Sequence, residues 1–311
     1  MTLTRRRMMQ GCACMTTGFL TSLLSPAAHA ALRNDCKPTQ GLPAPLSDIV
    51  ARAFDGIDAA SLWDVHAHLL GTGDSGSGCS VHASLVQGWQ VVERVRHRAI
   101  LNAACVDPDA ESIDRAYAQR LLSLAQGFPV GARWMLFAFD QAHDDAGRAM
   151  PDATTFHVPN TYAAHIAAQH PDRFGWVASI HPYRDDALVA LDDALAQGAL
   201  AVKWLPSAMN IDVRDPRLGA FYAKLAATCT PLIVHVGDEQ AVEGAARHEL
   251  GNPLHLRHPL DAGIRVIAAH CASLGDGPDL DANPDPAMAP AVRNLDLFAR
   301  LMREPRYAAL L

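Results

Sequence analysis

From residue 131 onward, short apolar runs rich in β-branched and aromatic residues alternate with stretches whose apolar positions recur at helical spacing. The runs at residues 61–66 (SLWDVH), 131–139 (GARWMLFAF), 174–181 (FGWVASIH), 198–205 (GALAVKWL), 231–236 (PLIVHV) and 264–270 (IRVIAAH) predict six β-strands. The helical pattern predicts α-helices near 159–170, 184–196, 215–228 and 292–303. Each strand–helix pair takes about 30 to 45 residues, the step of a parallel sheet with crossover helices. About 65 residues separate the first two strands, and VVERVRHRAILNAACVD followed by ESIDRAYAQRLLSLAQGF predicts a helical insertion there.

Strands that read as continuous apolar runs are buried on both faces, which suits an α/β barrel or a doubly wound sheet. A nucleotide-binding sheet places its glycine fingerprint directly after the first strand, where it opens a helix. GTGDSGSG follows the first strand, but its polar tail begins no clear helix, so the barrel is the better reading.

Composition narrows the function. The 311 residues are 50% hydrophobic and 19% charged, with a formal net charge of −7, so the chain reads as globular and lacks the basic patches of a nucleic-acid binder. Positive charge gathers only at the start, where TRRRMMQ runs into the weakly apolar GCACMTTGFLTSLL and then SPAAHA. That order describes an export signal over residues 1–30, and Thr4 to Gln10 resembles a twin-arginine (Tat) motif. The apolar stretch is too short to span a bilayer, so no stable membrane insertion is expected after cleavage. The resemblance implies the Tat machinery as a partner and a periplasmic or secreted protein, with residues 31–311 as one barrel domain. The five cysteines beyond the signal show no zinc-knuckle spacing, and Cys36 with Cys79 is the pairing that an oxidising compartment would permit.

The predicted C-terminal strand ends carry most of the candidate chemistry. The first holds Asp64, His66 and His68, the third His181, the fourth Lys203, the fifth His235 and the sixth His270. In a parallel barrel these ends open on one face, where active sites form. Residues i and i+2 of a strand share a side, so His66 and His68 can both aim into the mouth and chelate one ion. With 15 histidines, one His-x-His pair is expected by chance; the later histidines, in strand order, lift this pair above it. Taken singly, His235 or His270 reads as a buried core histidine and Lys203 as a salt-bridged barrel lysine. His181 reads as pocket lining, Asp64 as a hydrogen-bonding group in the mouth, and Asp238 and Glu239 as solvated loop residues.

His66-Ala67-His68, Lys203, His235 and His270, taken in order and by strand, resemble the motif series of the amidohydrolase superfamily of metal-dependent TIM-barrel hydrolases. VKWLPS and RVIAAHCAS look most like the amidohydrolase-related branch that includes aminocarboxymuconate-semialdehyde decarboxylase, over about residues 60 to 305. The resemblance implies a TIM-like (β/α)8 barrel and a divalent metal, zinc first, held by His66, His68 and His235. It makes His270 the catalytic residue that binds or polarises water or substrate, or else one that completes a second metal site, and Lys203 a ligand only if carboxylated. The implied activity is hydrolysis of an amide, ester or lactone bond of a small organic molecule. The alternatives are decarboxylation of an unsaturated carboxylic acid, or metal binding without turnover.

Family members also carry an aspartate at the end of the eighth strand. Here EPRYAALL falls where a seventh strand would start, and Asp276, Asp279, Asp281, Asp285 and Asp296 make no obvious substitute. The expectation is an incomplete barrel of about six strands plus the start of a seventh, in a truncated chain whose two sheet edges are open.

Overall fold

The computed structural model describes residues 46–87, 91–239, 242 and 244–311. The predicted export signal and Cys36 lie outside the described residues. Six parallel strands form the frame: β1 (Trp63–His68), β2 (Arg133–Phe137), β3 (Phe174–Val177), β4 (Val202–Trp204), β5 (Leu232–His235) and β6 (Val266–Ala269). They pair as two three-stranded parallel sheets, β1-β2-β3 and β4-β5-β6. A parallel bridge between Ala178 and Val202 joins the two, with Lys203 N donating to Ala178 O at 2.7 Å. The order is therefore sequential, and the fold is α/β with parallel sheets.

The barrel does not close among the described residues, where β1 and β6 form no ladder with each other. The outer edge of β6 takes one rung from the end of the chain, Val266 N donating to Leu310 O at 2.6 Å. The array is nevertheless curved enough for side chains from its two outermost strands to meet, as the His66 and His270 rings lie 4.7 Å apart.

Among the helices are α1 (Val91–Ala103), α2 (Ile113–Ala125), α3 (Asn160–Gln169), α4 (Ala187–Ala196), α5 (Gly219–Ala227) and α6 (Asn294–Leu301). Helices α1 and α2 occupy the long interval between β1 and β2. The alternation of a pleated strand separates two apolar layers. Leu136, Trp176, Val202, Trp204, Leu232 and Val234 face outward and pack in one cluster with Leu122, Ile166, Leu191 and Leu225 of the helices. Phe137, Val177, Ala201, Ile233 and Ala269 face inward and form a second, smaller cluster. Each fully buried large aliphatic side chain stabilises the fold by roughly 1.5–3 kcal/mol, so the outer layer dominates. Inward-facing Ile267 is 41% exposed, which marks the open side of the frame.

Several elements are shorter than the apolar runs predict. The run at 198–205 starts as a strand only at Val202, because Gly198 sits at φ +85° and ends α4, its N–H bonding to Leu195 O. The run at 174–181 ends at Val177, because side chains take the next backbone donors: Ser179 N bonds to Asn160 Oδ1 and His181 N to Asp140 Oδ2. Helix α5 starts at Gly219, since Asp215 accepts from Arg217 N at 2.8 Å and caps a separate 3₁₀ turn over Pro216–Leu218.

The glycine-rich run after β1 has a structural use. It wraps the buried Asp114, whose carboxylate accepts from Thr72 N at 2.6 Å, Gly73 N at 3.1 Å, Ser75 Oγ at 2.8 Å and Ser77 Oγ at 2.6 Å. Burial pushes this carboxyl up, but the Ser77 and Ser75 hydroxyls and the Thr72 amide outweigh it and hold it below its ordinary value. Asp74 in turn accepts from Ser112 Oγ and Ile113 N at the start of α2. Gly73 is required here: it sits at φ +86°, and a Cβ would lie 2.4 Å from Cys79 O.

The cysteine expectation is corrected. Cys79 is a buried free thiol, packed against this loop, and Cys105 is disulfide-bonded. Sequence spacing carried no information about that choice. Among the described residues, no helix is long and apolar enough to cross a membrane.

Candidate metal centre

The inward face changes character toward the C-terminal ends of the strands, where basic side chains replace the apolar cluster. His66 and His68 project from the inner side of β1, because Ala67 and Leu69 are taken up by the outer core. A β-bulge between Asp64 and Ala67 sets their position. Asp64 Oδ1 accepts from His66 N at 3.0 Å and pins that bulge, so the carboxylate braces backbone where the sequence reading placed it in the mouth.

The Nε2 atoms of His66 and His68 stand 3.1 Å apart. The Phe137 ring supports both, with centroids 4.9 Å from His66 and 5.5 Å from His68. His270 reaches the same place, its ring 4.7 Å from His66 and 5.2 Å from His235. It sits at φ +61°, and Cys271 and Ala272 follow at +52° and +50°. Three successive non-glycine residues in the left-handed region cost energy that the surrounding packing must supply, a feature that concentrates at functional sites.

Lys203 is 1% exposed and projects inward from β4. It lacks the salt bridge read from the sequence: among the described residues its Nζ has no hydrogen-bond partner and stands 5.5 Å from the centre of the Phe137 ring. Burial lowers its pKa from 10.5 to about 7, with Glu239 opposing. Desolvation first, and then Lys203, lowers His66 to about 3 and His68 to about 4. Burial also lowers His235, against the pull of Glu239. These three imidazoles are therefore neutral at pH 7 and have lone pairs to give.

The chemistry of the donors fits a divalent metal. Two imidazole nitrogens on one tetrahedral zinc are roughly 3.3 Å apart, given Zn–N bonds of about 2.0–2.1 Å, and the His66–His68 separation is close to that. His235 Nε2 is buried with no partner, as is Lys203 Nζ, and buried polar atoms without partners call for a ligand. The set is not closed, since among the described residues no three His, Cys, Asp or Glu side chains meet at metal-holding distances.

Two residues depart from the sequence reading. His181 is fully buried and locked, its Nε2 donating to Met209 O at 2.8 Å while Nδ1 accepts from Tyr183 N at 3.2 Å, so it braces a loop and lines no pocket. Glu239 is not a solvated loop residue; its side chain is 8% exposed and its Oε2 lies 3.3 Å from His235 Nδ1. Its separation of four residues from His235 was the available signal. Phe137, at the end of a predicted strand, carried none.

The chain matches no protein-family model and no curated protein. Three solved structures show similarity at low identity. An uncharacterised TIM-barrel protein from Bordetella bronchiseptica shares 17% identity with a TM-score of 0.42, over 67% of this chain and 65% of that one. The 4-oxalomesaconate hydratase from Rhodopseudomonas palustris shares 14% with a TM-score of 0.38, over 68% of this chain and 63% of that one. An amidohydrolase II protein shares 19% with a TM-score of 0.35, over 68% of this chain and 67% of that one. The chain thus spans less than two thirds of the length of the first two of these similar structures.

Proposed function

We propose that the strand ends form the centre of a metal-dependent hydrolase of the amidohydrolase type, acting on an amide, ester or lactone bond of a small organic molecule. The observation that carries this reading is the convergence of the His66 and His68 Nε2 atoms, 3.1 Å apart, within a basic inner face that also holds partnerless His235 Nε2 and Lys203 Nζ. His66, His68 and His235 would hold the metal, zinc foremost. Lys203 would join them only if its amine were carboxylated. When bound, such a metal supplies Lewis acidity and acidifies coordinated water.

The chain's own residues do the rest. His270 is solvent-exposed, touches the His66 and His235 rings, and so can hold or pass a proton at its imidazole where substrate enters. The Phe137 ring, 2% exposed, packs beneath the imidazoles and keeps water from that side. Lys203, where it carries its proton, favours a substrate or product that bears a carboxylate.

Zinc-loaded protein assayed on a panel of small carboxylate-bearing amides, esters and lactones in oxygen-18 water tests the reaction class. Incorporation of one labelled oxygen into the product, abolished by a chelator, supports hydrolysis. Carbon dioxide release without label uptake would replace it with decarboxylation, and no turnover with bound metal would leave a binding protein.

A further inference from the structure

Glu239 lies on the loop after β5, and the described backbone around it turns tightly. Gly237 sits at φ +85°, where a Cβ would fall 2.8 Å from Leu274 O, so only glycine permits the close approach. Gly237 N donates to Gly251 O at 2.8 Å and Asp238 N to Leu274 O at 3.1 Å, which anchors the turn to two neighbouring loops. The turn directs the Glu239 side chain back toward the strand that it follows. Its Oε1 accepts from Val242 N at 3.0 Å, and its Oε2 is 3.3 Å from His235 Nδ1. Both side chains are nearly buried, at 9% for His235 and 8% for Glu239. On the far side of the imidazole, Nε2 is buried without a partner.

We infer that Glu239 is the positioning carboxylate of this centre, holding His235 with its proton on Nδ1 and its Nε2 lone pair turned into the barrel mouth. This rests on the metal-centre reading for its purpose but not for its geometry. A histidine's tautomer is set by the hydrogen bond that its other nitrogen makes. Carboxylates in that role orient ligand imidazoles and raise their basicity. Glu239 is the carboxylate that acts electrostatically on His68, Lys203 and His235 together, whereas Asp64 is engaged by backbone. The carboxylate that the family resemblance implies would stand at the end of an eighth strand; this one sits four residues from the histidine that it serves.

The test is nitrogen-15 NMR of the histidine side chains in metal-free full-length protein, with His235 assigned from a His235→Gln variant, together with cobalt(II) titration followed by visible absorption. Wild type is expected to show His235 protonated on Nδ1, the reverse of the tautomer that free histidine favours in water. Glu239→Ala, which leaves the backbone bond with Asp238 as the remaining hold on that imidazole, is expected to show less of that tautomer and bind cobalt about 10–100-fold more weakly. Glu239→Gln, which keeps an acceptor, is expected to retain the tautomer and lose less affinity. A wild-type His235 protonated on Nε2, or a Glu239→Ala variant with unchanged tautomer and cobalt affinity, overturns the inference. If wild type shows the Nδ1 proton and Glu239→Ala shows less of it while neither binds cobalt, the positioning role stands and the metal-centre reading falls.

Discussion

His66 and His68 hold their Nε2 atoms 3.1 Å apart on the inner side of the first strand, and the aromatic face of Phe137 fixes both rings from one side. Two neutral imidazoles at that distance either share a proton or share a cation. Replacing either by alanine is expected to lower zinc affinity by at least about 100-fold while leaving the unfolding free energy within about 1 kcal/mol of wild type, since neither ring belongs to the main core. Isothermal titration beside denaturant melts checks this; a loss of fold together with affinity would make the pair structural.

Lys203 predicts a pH dependence. Its pKa falls from 10.5 in an exposed chain to about 7 when buried, so between those values the unfolded chain binds more protons than the folded one. Stability of the metal-free protein therefore rises with pH from about 7 to 10.5, by an upper figure of about 5 kcal/mol. Below pH 7 both states carry the proton, and the full penalty of a buried ammonium remains. Lys203→Met is expected to flatten this rise and to be about 2–4 kcal/mol more stable than wild type at pH 7, read from urea melts across the pH range. A variant less stable than wild type at pH 7 would mean that the amine has a partner.

Much of this arrangement was legible from residue order alone. The apolar runs located all six strands, most plainly β4 and β5, which are buried on both faces and cannot hide their composition, and the histidines stood out because they end those runs. What escaped depended on the third dimension. Glu239 reads as a loop acid until the turn at Gly237 folds it back against His235. Lys203 reads as ion-paired because buried lysines usually are, yet Glu239, the carboxylate that acts on it among the described residues, lies against a histidine. The glycine-rich run opens no helix and shows no use in the sequence, but its donors close on Asp114 from a helix about 40 residues away.

The loop and its buried acid give a stability test. Asp114→Ala strips the shared acceptor from the Thr72 and Gly73 amides and from the Ser75 and Ser77 hydroxyls, and a cost of about 3–5 kcal/mol is expected. Gly73→Ala is expected to cost more than about 2 kcal/mol, from its positive φ and the Cβ contact with Cys79 O. Chemical denaturation measures both. A neutral Asp114→Ala would mean that the loop is held by other contacts.

Thiol chemistry separates the cysteines. Burial pushes the Cys79 thiol up to about 11, against a weaker opposing hydrogen bond with Ser77, while Cys229 and Cys271 are exposed. Maleimide labelling of native protein mapped by peptide mass spectrometry is expected to modify Cys229 and Cys271 readily, Cys79 only after unfolding, and Cys105 only after reduction. Rapid native labelling of Cys79 would contradict its place beneath the loop.

The proposed chemistry requires that the strand ends hold a metal. Elemental analysis of protein incubated with zinc and dialysed free of excess is the most direct measurement. About one zinc per chain is predicted for wild type, falling to near zero in a His66→Ala/His68→Ala double variant that melts as wild-type apoprotein does. A wild-type chain that retains no zinc, or a double variant that retains as much as wild type, would contradict it.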